Sequence, residues 1–582
     1  MPRAADAARG CRGRARCRCA PRPARSRLVP LLLAVALALT ACTSAEAPPE
    51  EPTEAVPEAA PVRPDLSDEI GGPPEEDEQP APEPPASPEP AEEPPLPEGW
   101  AELVSRTQRL IEDAVRAAEG VQLAVLVTDE HGREIAAYRP DEAVLPASTL
   151  KVVTAAALLM TIGPDATFTT RVETTAPISG DGRIRGDLVL VGGGDPALAT
   201  DEYGRWIYPA RPRTPLASLA DTLVAQGVTH VDGDVVGTAP GFTGPTRAEG
   251  WPDRYFSSFD ARYASGLTVD GGLRTILTYP ESEEPDEADA GGEEGDEPAG
   301  DEPTEEDEDP ADPADGDEDG SEEPDPEELG PPDVTVDHVL DPAAHAAAEL
   351  VRLLEERDVR VVGEGRSGEV EDHVVGRLAS VESPPLDELL RFAVQRSDNH
   401  LTDGLFQSIG RIRTGEGSWE RGDRALRQVL DRLDIDHSQA VFADGSGLSR
   451  EDRLTVRLLV DLDRQMASGP QAETWASLMA VMGESGTLRQ RLTGTVAAGR
   501  FYGKTGTLRD VMALSGAVIG EGDERYHLAV IANDADGPGR WVTRELMDEL
   551  VLQLSAEVAG CDVTPGERDE DAASVPRSTI NC

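Results

Sequence analysis

The chain has 582 residues, with 112 acidic against 53 basic side chains and a formal charge of −59. That length suits two or three domains, and so large a negative charge repels phosphate backbones, which excludes nucleic acid as a partner. The charge is concentrated: residues 43–99 carry 17 acids against the single Arg63, residues 281–333 carry 28 acids and no Lys or Arg, and the two stretches hold −44 of the total. Both are rich in Pro or Gly and poor in large apolar side chains, so they cannot offset the entropy of ordering and are expected to be disordered.

Nine arginines precede Leu28, an apolar run extends to Leu39, and Leu39-Thr-Ala-Cys42 closes the segment. Residues 1–41 therefore read as a signal peptide, with an apolar run too short for a permanent membrane span. The box ending in Cys42 resembles the processing site of bacterial lipoproteins. That resemblance implies cleavage before Cys42, lipidation of its thiol and attachment to the extracytoplasmic face of the cell membrane; the alternative is plain secretion. Cys11, Cys17 and Cys19 fall in the discarded segment, and no metal site is read into them. Residues 42–99, dense in Pro and Glu, read as an extended tether. Cys561 and Cys582 are then the only cysteines of the mature chain, which suits an oxidising compartment and predicts that they pair across a 561–582 tail.

Trp100–Gly120 places its apolar residues near helical spacing and ends on a glycine, which predicts a helix. Val121–Thr128 and Glu134–Tyr138 flank the polar turn Asp129–Gly132 and read as a hairpin. Val152–Met160 is apolar on every side, as a helix buried in a core is, and Ser148 stands at its start. Near the other end, Arg500–Thr505, Met512–Ile519 and Tyr526–Ala532 read as strands and Trp541–Leu554 as an amphipathic helix, so the chain termini predict a sheet flanked by helices. Leu386–Gln395, Asn399–Ile409, Trp419–Leu433 and Thr455–Met466 have helical periodicity and predict a helical layer beside it. These segments define a catalytic domain in two parts, residues 100–165 and 376–560.

Between them, residues 166–375 read as inserted domains, mainly β: Thr169–Thr175, Arg185–Val191, Val231–Val236, Leu273–Tyr279 and Val334–Leu340 are strand-like, with one helix around Ala343–Glu356. The acidic block falls between the last two strands and predicts a long solvated loop at a domain tip. Within it, Asp315–Gly320 matches the first half of a calcium loop, but the twelfth position is Pro326 and no flanking helices are visible, so no metal or other cofactor is expected.

Only two of the basic residues are lysines, Lys151 and Lys504, and only three residues are asparagine, at 399, 533 and 581. A guanidinium stays protonated, whereas an amine can release its proton and act as a base. Three of these rare residues fall in Ser148-Thr-Leu-Lys151, Ser397-Asp398-Asn399 and Lys504-Thr505-Gly506. If Ser148 opens a helix, Lys151 lies one turn on and on the same face, so hydroxyl and amine can meet as nucleophile and base. That needs a neutral amine, which burial and Lys504 as a second cation would favour. Lys504 and Thr505 can present a charge and a hydroxyl to a terminal carboxylate, while Gly506 lets a peptide lie along the strand edge. Ser397 can relay a proton to a leaving amine and Asn399 can hold the substrate amide; the alternative is that either simply caps the following helix.

Together the motifs resemble the S-x-x-K, S-D-N and K-T-G set of penicillin-binding proteins and serine β-lactamases. Gly186–Pro196, Asp444-Gly-Ser-Gly-Leu-Ser-Arg450 and Ser485-Gly-Thr-Leu-Arg489 further resemble segments of the peptidase S13 group of D-alanyl-D-alanine carboxypeptidases. The resemblance covers roughly residues 100–555 outside the acidic block. It implies an α+β fold of the serine β-lactamase and DD-peptidase type and removal of the terminal D-Ala from peptidoglycan stem peptides, with endopeptidase action on cross-links as a further expectation. It also implies an acyl-enzyme on Ser148, an oxyanion hole from the N–H groups of Ser148 and Thr507, β-lactams as trapped inhibitors, and a side-chain contact from Arg450. An Asp that assists in the family is replaced here, before Phe242, by Gly237 or Thr238.

A class A β-lactamase shares the three motifs but needs an E-x-x-x-N sequence; no asparagine here has Glu four residues earlier, and 249 residues separate Ser148 from Ser397. A Ser-His-Asp hydrolase of the G-x-S-x-G type finds no such motif. A silent peptidoglycan-binding lipoprotein is the remaining alternative, and the intact Ser148, Lys151 and Lys504 speak against it.

Overall fold

The strand Gln122–Asp129 is apolar from Leu123 to Val127 because it is covered on both faces. Its side chains alternate, with Leu123, Val125 and Val127 in one core and Ala124 and Leu126 in another, as the two-residue period of a strand requires. The computed structural model describes residues 96, 99–279, 331–369, 373–522, 524–566 and 574–582. The signal-peptide and tether expectations, Cys42 and the half calcium loop lie outside these residues.

Six antiparallel strands form the main sheet in the order Ala480–Val481, Phe501–Leu508, Val511–Ile519, Arg525–Asn533, Gln122–Asp129, Glu134–Tyr138. Chain-distant segments are thereby joined: Gln122 pairs with Asn533 and Asp129 with Tyr526. The Trp100–Ala117 and Pro538–Val558 helices cover one face, where Leu103, Leu110 and Ile111 share a core with Leu546, Leu550 and Leu554. The opposite face carries the helical layer. Leu150–Ile162 runs through its centre, and every residue from Leu150 to Leu159 is buried among Leu389, Leu405, Leu426 and Leu459.

The chain between the Leu150–Ile162 and Leu386–Arg396 helices builds separate sheets. A five-stranded sheet runs Gly365–Ser367, Val235–Thr238, Leu188–Val191, Thr169–Thr174, Gly376–Glu382, and the first three strands are parallel to one another. Two helices, Ala217–Ala225 and Pro342–Glu355, share its core through Leu219, Leu223, Leu350 and Leu354. The first of these helices is absent from the sequence reading; nine residues with three polar side chains inside give too short a stretch for its periodicity to stand out. Leu273–Thr278 and Asp333–His338 pair antiparallel, Thr278 opposite Asp333, so the acidic stretch leaves and returns at one end of a hairpin. No described helix is long and apolar enough to cross a membrane.

Candidate active site

Ser148 lies in the single 3-10 turn Ala147–Thr149, which runs straight into the Leu150–Ile162 helix. Ala147 has φ 48°, a left-handed conformation that costs an L-residue about 1–3 kcal/mol. Gly447 backs the turn so closely that a Cβ there would sit 1.9 Å from the Ala147 carbonyl oxygen. Lys151, fully buried, turns back beneath the serine. Its Nζ donates to Ser148 Oγ at 3.2 Å, to Asn399 Oδ1 at 2.7 Å and to the Ser446 carbonyl at 2.7 Å. These three acceptors match the three protons of an ammonium.

Ser397 ends the Leu386–Arg396 helix in the left-handed conformation, φ 60° and ψ 39°, and the next helix starts at Asn399. Asp398, not its neighbours, is the cap: its carboxylate accepts the Leu401 N–H at 2.9 Å. With Asp398 satisfying the helix terminus, Ser397 and Asn399 are free to face the two lysines. Lys504, also fully buried, donates to Ser397 Oγ at 2.9 Å and to the Thr505 carbonyl at 2.6 Å. Asn399 further donates to the Asp260 carbonyl at 3.0 Å, tying the chain between the Leu150–Ile162 and Leu386–Arg396 helices to the crevice. Two hydroxyl–amine pairs, Ser148 with Lys151 and Ser397 with Lys504, are thus brought from three distant segments to adjacent positions, close enough for the charge of Lys151 to act on Lys504.

Burial brings the Lys151 amine down to about 8, against the pull of Asp403, Asp444, Asp398 and Asp452, which favour its charge. Lys504 is pushed well below the ordinary lysine value, by burial first and by the charge of Lys151 second. The sequence expectation had Lys504 lowering Lys151; the charge of Lys151 lowers Lys504 in the same way, while the four acids around Lys151 oppose the lowering of its own amine. The buried crevice does not favour two ammonium groups at once.

Residues 107–555 match the D-Ala-D-Ala carboxypeptidase 3 (S13) family. The D-alanyl-D-alanine carboxypeptidase of Actinomadura sp. strain R39 is 32% identical over 490 residues, covering 80% of this chain and 87% of its own. The chain belongs to the S13 D-Ala-D-Ala carboxypeptidase family. A carboxypeptidase of Mycobacterium tuberculosis is 28% identical over 444 residues, 74% of this chain and 80% of that one. Penicillin binding protein 4 of Haemophilus influenzae shares the fold, with a TM-score of 0.58 at 19% identity over 76% of this chain and 99% of that one. The same protein complexed with a novel β-lactam gives a TM-score of 0.55 at 18% identity over the same shares.

In this S13 carboxypeptidase the Ala480–Val481 strand pairs only with Tyr502 and Gly503, so from Lys504 onward the outer edge of Phe501–Leu508 has no strand beside it among the described residues. Thr505 Oγ1 is 2.8 Å from Thr487 Oγ1, and Thr507 is exposed at that edge. Gly506 packs against the nucleophile turn as well as leaving the edge open: a Cβ there would lie 2.9 Å from the Pro146 carbonyl. Arg450 sits apart from the lysine network in a bidentate ion pair with Asp510, both bonds 2.8 Å. Gly237 leaves no room for a side chain, since a Cβ would lie 2.2 Å from the Ala343 carbonyl. Cys561 and Cys582 form a disulfide, 2.12 Å between sulfurs, and the tail between them carries a short hairpin, Asp562–Thr564 with Thr579–Asn581.

Sequence reasoning missed the supports behind Lys151. Asp444 accepts the N–H groups of Ser446, Gly447 and Ser449 at 2.9, 2.6 and 2.8 Å and the Trp251 indole at 2.7 Å. That web fixes the Ser446 carbonyl under the amine and presses Gly447 onto Ala147. Asp403 holds the Gly445 N–H at 3.1 Å, and Asp452 the Ala443 N–H at 2.8 Å. Burial, and then the neighbouring Asp444, raises both carboxyls well above the usual range. The signal for Asp403 was its position, four residues after Asn399 on the same helical face.

Proposed function

We propose that Ser148 is the nucleophile of this carboxypeptidase and that the two lysines share the proton it releases. The observation that carries the reading is the pairing of each buried amine with a motif hydroxyl, Lys151 with Ser148 and Lys504 with Ser397, inside one water-poor crevice. A stem peptide ending in D-Ala-D-Ala adds along the open edge beyond Gly503, its terminal carboxylate meeting Lys504 and Thr505. That negative charge favours protonated Lys504, which in turn favours neutral Lys151. The Ser148 Oγ–H bond breaks to Lys151 Nζ as Oγ bonds to the scissile carbonyl carbon, and the N–H groups of Ser148 and Thr507 hold the oxyanion. Collapse of the intermediate breaks the C–N bond and expels the amine of the last D-Ala, which takes a proton from Lys504 through Ser397; the proton held by Lys151 replaces it on Lys504 and leaves Lys151 neutral. Water then attacks the acyl carbon as its proton passes to Lys151, and the acyl C–Oγ bond breaks as Lys151 returns that proton to Ser148 Oγ. Asn399 holds both the Lys151 amine and the peptide amide, and Arg450 contacts the stem-peptide side chain.

β-Lactams acylate the same hydroxyl and leave slowly, and a cross-linked peptide enters by the same edge, which adds endopeptidase action. The N-terminal segment is cleaved before Cys42, and the lipidated cysteine anchors the enzyme to the outer face of the cell membrane through the tether. Fluorescent penicillin should label the wild type and fail to label Ser148→Ala; persistent labelling of the variant refutes the nucleophile assignment. Release of D-Ala from diacetyl-Lys-D-Ala-D-Ala separates an enzyme from a silent binder.

A further inference from the structure

Beside the Ser397–Asn399 wall, on the flank formed by the inserted domain, lies a cavity of about 410 Å³ whose lining includes Tyr208, Arg211, Phe259, Arg262, Phe392 and Asn399. Arg211 and Arg262 are 7% and 8% exposed. Both donate to the same phenol oxygen, Tyr203 Oη, at 2.7 and 3.1 Å. Arg211 faces Asp398 at 3.7 Å. Arg262 completes its contacts with Tyr208 Oη at 3.3 Å and the Phe259 carbonyl at 3.5 Å, and forms no ion pair among the described residues. His400, 3.4 Å from Arg211, adds no negative charge; burial first, then Arg211 and Arg262, hold it neutral, well below the usual histidine value. Two buried guanidiniums therefore share one buried carboxylate, and a buried cation without a counter-ion is costly unless something supplies one.

Phe259 is held at φ 58°, which is strained for an aromatic residue, and the next carbonyl, that of Asp260, is the one Asn399 grips. The same short segment thus places Arg262 and Phe259 on the cavity wall and touches the catalytic motif, so a group seated there reaches the substrate in the crevice.

We propose that this cavity is a subsite for a second carboxylate of the substrate peptide, distinct from the terminal D-Ala carboxylate, with Arg262 as its counter-ion and Tyr208 and Phe259 covering the adjacent methylenes. The proposal rests on the peptidase reading above. In a stem peptide a second carboxylate has two sources, the α-carboxylate of γ-linked D-Glu and the side-chain carboxylate of a diaminopimelyl residue.

Three acetylated pentapeptides ending in D-Ala-D-Ala decide between them: one with D-isoglutamine and lysine, one with free D-glutamate and lysine, and one with D-isoglutamine and meso-diaminopimelate. A charge-assisted contact predicts kcat/KM at least roughly tenfold higher for one of the last two peptides than for the first. In Arg262→Gln that ratio should fall to near one. Ala210→Glu, at an exposed position of the rim, should lower it as well by tethering a competing carboxylate. Labelling with fluorescent penicillin shows that each variant is folded with a competent Ser148, and where Arg262→Gln fails to label, the Ala210→Glu ratio decides. Equal kcat/KM for the three peptides in a wild type that labels overturns the subsite, as does a preference that survives in labelled variants. A wild type that neither labels nor releases D-Ala overturns the peptidase reading instead.

Discussion

Inactivation by benzylpenicillin, followed from about pH 5.5 to about pH 9, should track the proton on Lys151. The free enzyme holds that amine at about 8, so close to one site in ten is neutral at pH 7 and one in a hundred at pH 6. The second-order acylation constant should therefore rise roughly tenfold per pH unit up to about 8 and level off above it. The sign follows from which form reacts: deprotonation makes the base, so activity is gained as pH rises. The constant at saturating penicillin reports the bound complex instead. On the proposed binding mode the drug's own carboxylate would meet Lys504 and keep it protonated, and a second cation in a dry site would lower a neighbouring amine by about 1–3 pH units. The limb at saturation should thus move down from about 8 to roughly pH 5–7, and each unit of displacement corresponds to about 1.4 kcal/mol of coupling between the two amines. Rapid-quench measurement of both constants on one preparation tests this. A limb that stays near the ordinary lysine value of 10.5, or two limbs at the same pH, would refute the proton-sharing argument.

Asp444→Asn keeps the oxygen facing Ser446 and Gly447 but turns an amide toward the Ser449 N–H and the Trp251 indole, leaving two buried donors unpaired. At about 1–3 kcal/mol each, the thermal midpoint should drop and penicillin labelling should slow, both measured on one sample. Gly447→Ala drives a methyl into the Ala147 carbonyl at a backbone φ of +83°, and it should abolish labelling because the nucleophile turn cannot keep its shape. Cys561→Ser removes a cross-link worth about 3 kcal/mol to the closed segment and should speed trypsin cleavage after Arg577, whose side chain is already exposed but whose backbone is held in the closed segment. Cys42→Ser should move the enzyme from the membrane fraction to the medium, as read by fractionation and blotting.

The catalytic core was legible because its signals are local. Continuous apolar runs marked strands covered on both faces, as at Leu123–Val127, and the all-round apolar Val152–Met160 marked a helix inside the core. Lysine rarity marked two of the network's residues without any structural knowledge. What stayed hidden depends on contacts between segments far apart. The parallel pairing of Leu188–Val191 with Val235–Thr238 leaves no trace in either strand's own pattern. Asp444 looks like a turn residue until its carboxylate is seen collecting three N–H groups and an indole. The role of Asp398 was obscured for the opposite reason: Ser, Asp and Asn all cap helices, so three adjacent candidates cannot be ranked by residue type.

The division of labour inside Ser397-Asp398-Asn399 explains why the middle position matters to the chemistry of its neighbours. Asp398 caps one helix and meets Arg211 of the inserted domain, so the same carboxylate that frees Ser397 and Asn399 also fixes the inserted domain against the catalytic one. It is one of the four acids that favour charge on Lys151, while Arg211 and Arg262 keep its own carboxyl below the usual range despite burial. The two guanidiniums therefore act on the base at one remove, by deciding how negative Asp398 is. Binding of an anion beside Arg262 would draw part of that positive field away from Asp398, and through it alter the proton affinity of Lys151. Substrate recognition beside Arg262 and proton transfer at Ser148 would in this way be coupled through a single buried carboxylate.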